Sequence, residues 1–152
     1  MSRVATIKGN LIAALKLLPE LAGCDVLPSR SARAPFTQIS RRRGIFVAYG
    51  GWEKHGQQLA GQPKKQRRRD SWLFIVMAES YRSAPEAFTQ DGGADDLLEA
   101  LDKIMGEDIG QGTGSIVFLD PEAAELTEAE SSTDAGGTVG YVLKMTSSDY
   151  MI

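Results

Sequence analysis

The chain is poor in the residues that most often carry chemistry: among its 152 residues stand one cysteine, Cys24, and one histidine, His55. A single cysteine forbids an internal disulfide and suits a reducing compartment. Cys24 reads as a small buried apolar residue rather than a nucleophile. One histidine with no cysteine near it cannot supply the three or four protein ligands of a zinc site. No Ser, Cys or Asp stands in an arrangement that would make His55 a catalytic base, so it reads as a solvated loop residue. No apolar run approaches the ~20 residues of a membrane span. The opening stretch, MSRVATIKGNLIAALKLL, lacks the long apolar centre and small-residue cleavage site of a secretory leader. The expectations are therefore no catalysis, no metal or other cofactor, and no membrane.

Charge, by contrast, is abundant and unevenly placed. Hydrophobic residues make up 42% and charged residues 24%, an ordinary globular composition. The length suits one domain, residues 1–152, with one core. The net charge of -3 hides a division. Residues 1–82 hold 15 of the 17 Lys and Arg but only 5 of the 20 Asp and Glu, a net of +10, and residues 83–152 carry -13. Such a split can mark a nucleic-acid surface joined to an acidic tail. It can also make copies attract one another head to tail. The plainest alternative is that the halves neutralise each other inside one fold.

Periodicity orders the elements. Val4, Ile7, Leu11, Leu15 and Leu18 recur at spacings of three and four, which predicts an amphipathic helix. Pro19 ends it. Residues 25–40, with two prolines and scattered small polar residues, read as a loop or an irregular edge. In IFVAY, residues 45–49, Ile45, Val47 and Tyr49 alternate with Phe46 and Ala48, a strand that Gly50-Gly51 is expected to stop. The following WEKHGQQLAGQPKKQRRRD has only Leu59 and Ala60 as aliphatic residues, which predicts a long exposed hairpin loop at about 52–69. SWLFIVMAESY is apolar on both faces and so reads as a central strand. ADDLLEALDKIMG predicts a second helix with Leu97, Leu98, Leu101, Ile104 and Met105 inward, Asp95 or Asp96 at the positive end of its dipole, and Gly106 as cap. SIVFL, 115–119, reads as a short strand, and DPEAAELTEAESSTDAGG as either a helix start or an edge strand and loop. VGYVLKMTSS alternates as a half-buried strand. The order predicts an α+β fold, a mainly antiparallel sheet with two helices packed on it.

Two further patterns invite a chemical reading. GQGTGS, 110–115, has glycines like a phosphate cradle, but no strand precedes it and no Gly-Lys-Ser/Thr completes it, so it reads as a flexible turn. The acidic pairs Asp95-Asp96 and Glu107-Asp108 read as solvated helix faces. Arg41, Arg42 and Arg43, with Lys64, Lys65, Arg67, Arg68 and Arg69, could contact phosphates while Trp52 stacks on a base. Against this stand the acidic sequence pI of about 5.2 and the lack of any helix-turn-helix, zinc or RNP-type signature. Nucleic-acid binding is therefore not the expected role.

The N-terminal amphipathic helix, IFVAYGGW, the strand RRRDSWLFIVMAESYRS, the helix DDLLEALDKIM and a tyrosine-containing last strand together resemble a phage family. They are similar to the tail-terminator-like proteins encoded among the tail genes of Mu-like phages and prophages. The resemblance spans most of the chain as a diffuse pattern. It implies a structural role without chemistry: a ring, usually hexameric, that caps the head-proximal end of the tail tube. Such a ring ends tube growth and presents a surface for head-tail joining. Its partners would be further copies of the chain, the tube protein, and head or neck proteins. Its place would be the virion tail, after assembly in the host cytoplasm. Arg41, Arg42, Arg43, Trp52, Lys64, Lys65, Arg67, Arg68 and Arg69 would then mark a basic rim facing an acidic partner surface. A neck or head-tail connector protein and a nucleic-acid-binding module are the alternatives.

Overall fold

The computed structural model describes residues 2–29, 43–54, 67–79, 88–128, 138–147 and 150–151. Its elements are α1 (Arg3–Lys16), a 3-10 turn (Pro19–Leu21), β1 (Asp25–Ser29), β2 (Arg43–Lys54), β3 (Arg67–Glu79), α2 (Ala94–Leu101), a second 3-10 turn (Asp102–Ile104), β4 (Leu119–Glu128), β5 (Thr138–Ser147) and β6 (Tyr150–Met151). The strands lie in the order β1-β2-β3-β5-β4, with β6 pairing β3. Only the β1–β2 pair among these is parallel. The result is an α+β fold with a curled, mostly antiparallel sheet.

The sheet is organised by β3, whose neighbours are β2, β5 and β6. Trp72, Phe74 and Val76 join the main core with Ile45 and Val47 of β2, Leu143 and Met145 of β5, and the inner faces of both helices. Ile75 and Met77, pointing the other way, form a second buried cluster with Phe46. The doubly apolar sequence thus corresponds to burial on both faces of a central strand.

Each helix is placed by its apolar stripe. Ile7, Leu11 and Leu15 of α1 are fully buried, and the Ser2 hydroxyl accepts from the Ala5 N–H at 3.1 Å to cap the first turn. Helix α2 buries Ala94, Leu97, Ala100 and Leu101, and Ile104 continues the stripe through the following turn. Asp95 and Asp96 lie in its first turn, as the dipole favours. Tyr141 of β5 donates its hydroxyl to Asp95 Oδ1 at 2.6 Å, tying helix to sheet. Cys24 is half-buried against the main core.

Four expectations change. Residues 25–29 form a true strand, because Pro28 sits on an edge where its missing N–H costs little. Gly50-Gly51 does not stop β2. The two glycines face the single residue Ser71, and the pairing resumes at Trp52 opposite Asp70. This is a β-bulge, with Gly51 at a φ of +92°. Trp52–Lys54 and Arg67–Asp70, expected within the loop at about 52–69, are paired strand residues instead. The part between them, with His55, Lys64 and Lys65, lies outside the described residues, as do Arg41 and Arg42. Finally, residues 115–118 are irregular and the strand begins at Leu119, resolving the ambiguous acidic stretch as an edge strand through Glu128.

The glycine-rich turn is anchored. Asp108 Oδ1 accepts from the N–H groups of Gly110 at 2.8 Å and Val117 at 3.0 Å. Those bonds, Val117's first, hold its carboxyl below the usual carboxylate range. Asn10 of α1 donates to the carbonyls of Ile109 and Gln111, both at 2.8 Å. The turn is a spacer pinned to α1, and Asp108 fills the loop with a carboxylate where a bound phosphate would need open N–H groups.

Two glycines separate close packing from helix propensity. A methyl at Gly140 would overlap the Val76 carbonyl, whereas one at Gly9 meets nothing within 4 Å. Gly140→Ala is therefore expected to cost about 1–3 kcal/mol. Gly9→Ala, inside α1, is expected to gain about 0.5–1 kcal/mol. Urea unfolding midpoints that moved in the same direction for both would refute this account.

Candidate functional site

At its N-terminal end β3 changes from apolar to charged, in the run Arg67-Arg68-Arg69-Asp70. Asp70 lies on the helix-facing side and is fully buried. The Tyr49 hydroxyl donates to its Oδ1 at 2.8 Å, and Arg3 Nε of α1 stands 3.8 Å from its Oδ2. The Tyr49 ring also packs on Trp72, with centroids 5.2 Å apart and planes tilted by 54°. A cation in the first turn opposes the helix dipole. Its position is explained by the carboxylate it meets, so Arg3 fixes the start of α1 against this end of the sheet. The Trp72 Nε1 and Ser147 Oγ atoms are buried here without a hydrogen-bond partner among the described residues.

The bulge at Gly50-Gly51 decides where Trp52 points. In a regular strand Trp52 would face away from Tyr49, because alternate side chains take opposite faces. The extra residue reverses that parity and puts Trp52 opposite Asp70, on the face of Tyr49 and Trp72. There Trp52 is 49% exposed, and the Arg68 guanidinium lies over its ring, 3.6 Å from the centroid. Arg69 points to the other face, where it meets Asp120 of β4 at 3.7 Å. Arg67 belongs to β3 and pairs with Met151 through the backbone.

Arg43 has a different role from the one its sequence neighbours suggest. It lies at the opposite end of β2, opposite Ala78, whereas Trp52 is opposite Asp70. Its guanidinium donates to the carbonyl of Ala22 at 2.8 Å and to that of Gly92 at 3.4 Å. Arg43 thus joins the segment after α1 to the start of α2 and is not part of a rim with Trp52, Arg68 and Arg69. Beside it opens a cleft of about 350 Å³ lined by Glu20, Gly92, Asp96, Glu99, Ala100 and Lys103. Lys103 donates to Glu20 Oε1, and that bond holds the Glu20 carboxyl below its ordinary range. Asp96 accepts from the Gly92 N–H at 2.7 Å.

The described residues therefore bring together Trp52 and Arg68 of the sequence-predicted set, place Arg69 on the other face beside Asp120, and separate Arg43 from all three. Arg3, Tyr49, Asp70 and Asp120 enter the site without having been singled out. The signal available was the lone acid in RRRDSW, placed where an all-basic surface would not have one. Among the described residues no group of three or more His, Cys, Asp or Glu is placed to hold a metal ion, and no helix is long and apolar enough to cross a membrane. No protein-family model and no curated protein matches the chain.

Replacing Asp70 tests the buried layer. Asp70→Ala takes the acceptor from Tyr49 and the counter-charge from Arg3. Because Arg3 keeps some access to water, with 24% of its side chain exposed, the cost belongs at the lower end for a buried pair. A loss of about 1.5–3 kcal/mol in urea unfolding is expected, the range for hydrogen bonds to charged groups. An unchanged midpoint would show that Asp70 does not fix α1 to the sheet.

Proposed function

We propose that the chain is a structural phage protein that caps the head-proximal end of a tail tube as a ring of its own copies. On this reading it ends tube growth and offers a surface to head or neck proteins, acting by shape and charge and not by catalysis. The resemblance stated above suggests the role, and the α+β fold is the one that role implies. The observation that carries the reading is the Trp52–Arg68 pair at the end of the β2–β3 hairpin. A half-exposed indole under a guanidinium is an anchor of the kind that dominates protein interfaces, where Trp and Arg are enriched. A nucleic-acid module would use the same indole as a stacking platform. Arg68 already covers one face of that ring, which favours a protein partner. A neck or connector protein would share the ring and differ in the side of the tail it meets.

The reading is tested by Arg68→Glu, leaving Arg69 in place because it pairs with Asp120. Surface charge changes usually alter stability by less than ~0.5 kcal/mol, so the variant is expected to remain folded. Phage or prophage tails assembled with it should lose length control, seen by electron microscopy. The wild-type chain, free of tail components, should bind neither duplex nor single-stranded DNA near physiological salt. Tight DNA binding there, or tails of normal length with the variant, would refute the proposal.

A further inference from the structure

The two ends of the sheet carry features that fit one another but cannot meet within one molecule. At one end Arg3 stands beside Asp70 and Arg69 beside Asp120, while Arg68 has no carboxylate partner among the described residues and lies on the half-exposed Trp52 ring. At the other end the cleft beside Arg43 holds three carboxylates, Glu20, Asp96 and Glu99, against the single ammonium of Lys103. Glu20 is matched by Lys103 and Asp96 by a backbone N–H. Glu99 is exposed and makes no such bond among the described residues. Arg43 and Trp52 are nine positions apart along β2, which at ~3.3 Å per residue separates the ends by roughly 30 Å.

We propose that the Trp52–Arg68 pair of one copy docks in the Glu20–Asp96–Glu99 cleft of the next, joining copies head to tail. This rests on the self-assembling role proposed above and specifies its contact. The occupant is a second copy because the chain itself bears both halves of the charge match. The cleft, about 350 Å³, falls in the range of ~300–1,000 Å³ that admits a compact group such as an indole. Arg68 finds in Glu99 a carboxylate that no other described residue gives it, and the stacked indole shields that pair from water. A contact between two different patches is heterologous, so repetition gives a ring when the rotation closes and a filament when it does not.

Charge exchange tests the contact on the full chain without tail components. Wild type is expected to self-associate at low salt, read by sedimentation velocity. Arg68→Glu and Glu99→Arg should each weaken association by about tenfold or more, the effect of opposing like charges in a docked pair. The double variant Arg68→Glu/Glu99→Arg should recover most of the lost affinity, and so should an equal mixture of the two single variants. Unchanged circular dichroism and urea midpoints of the singles would exclude misfolding as the cause. The contact is overturned by a wild type that stays monomeric at millimolar concentration and low salt, by singles that associate like wild type, or by a double variant no better than the singles. It is equally overturned if Arg68→Glu leaves association intact and abolishes binding to an acidic protein or to DNA. Tail-length control is scored separately. Normal termination by a monomeric wild type removes the contact and leaves the cap reading standing. Charge-exchanged association without any effect on tails does the reverse.

Discussion

A strand that is apolar on both sides has to be covered on both, and that requirement on β3 governs the rest of the molecule. Trp72, Phe74 and Val76 turn toward the two helices, and Ile75 and Met77 turn to the cluster with Phe46. Burying both faces at roughly 25 cal/mol per Å² makes the middle of β3 a strong driving force for folding. It also leaves little tolerance at its neighbours. Gly140 lies opposite Met77, and a β-carbon there would overlap the Val76 carbonyl, so no side chain fits. The helices follow from the same demand, each supplying one apolar stripe and few further constraints.

The strand cannot stay apolar to its end, and the transition is where the interaction site arises. Asp70 continues the inward alternation of Phe74 and Trp72 but brings a carboxylate into a fully buried position. Such a group is costly unless hydrogen-bonded and paired. Tyr49 and Arg3 meet that need, and in doing so fix where β2 and α1 stand relative to the first residues of β3. The bulge at Gly50-Gly51 then carries Trp52 onto the same face, one step beyond the buried layer, where the ring is half outside. Core, polar layer and exposed anchor are successive steps along one face of one pair of strands.

Those steps were unequally visible in the sequence. Both helices, the central position of β3 and the half-buried β5 were legible because periodicity is a local property and each has a strong one. The α+β class followed from their order. Strand β1 stood only as one alternative, a loop or an irregular edge, because Pro28 argues against central strands and is silent about edges. Gly50-Gly51 looked like a terminator because glycine signals a break of the regular pattern, and a bulge is also such a break. Which of the two occurs is decided by whether the ladder resumes beyond them, as it does at Trp52 opposite Asp70. The grouping of Arg43 with Arg67–Arg69 failed for a related reason. Composition counts charges along the chain, whereas the length of β2 carries residues 43 and 52 to opposite ends of the sheet and antiparallel pairing sets Arg68 and Arg69 beside the second of these. Asp120 came to Arg69 from an acidic segment that had no defined secondary structure in the sequence, so that pairing had no sequence signal at all.

The division between a basic first half and an acidic second half admits an internal answer and an external one. An internal answer requires the cations of the first half to meet the anions of the second. Arg69 with Asp120 does so. Arg3 instead uses Asp70, from its own half, and Arg43 spends its donors on two backbone carbonyls. Lys103 with Glu20 joins the halves with the signs reversed, taking a cation from the acidic half to an anion of the basic one. Arg68 rests on an indole. Carbonyls and rings hold a guanidinium without cancelling its charge, and pairing within one half leaves the imbalance between halves as it was. Folding of the described residues therefore neutralises the asymmetry only in part. Among the described residues Arg68 and Glu99 lie at separated ends of the sheet, where Coulomb attraction acts between molecules rather than within one, and where salt will screen it over about 10 Å at 0.1 M.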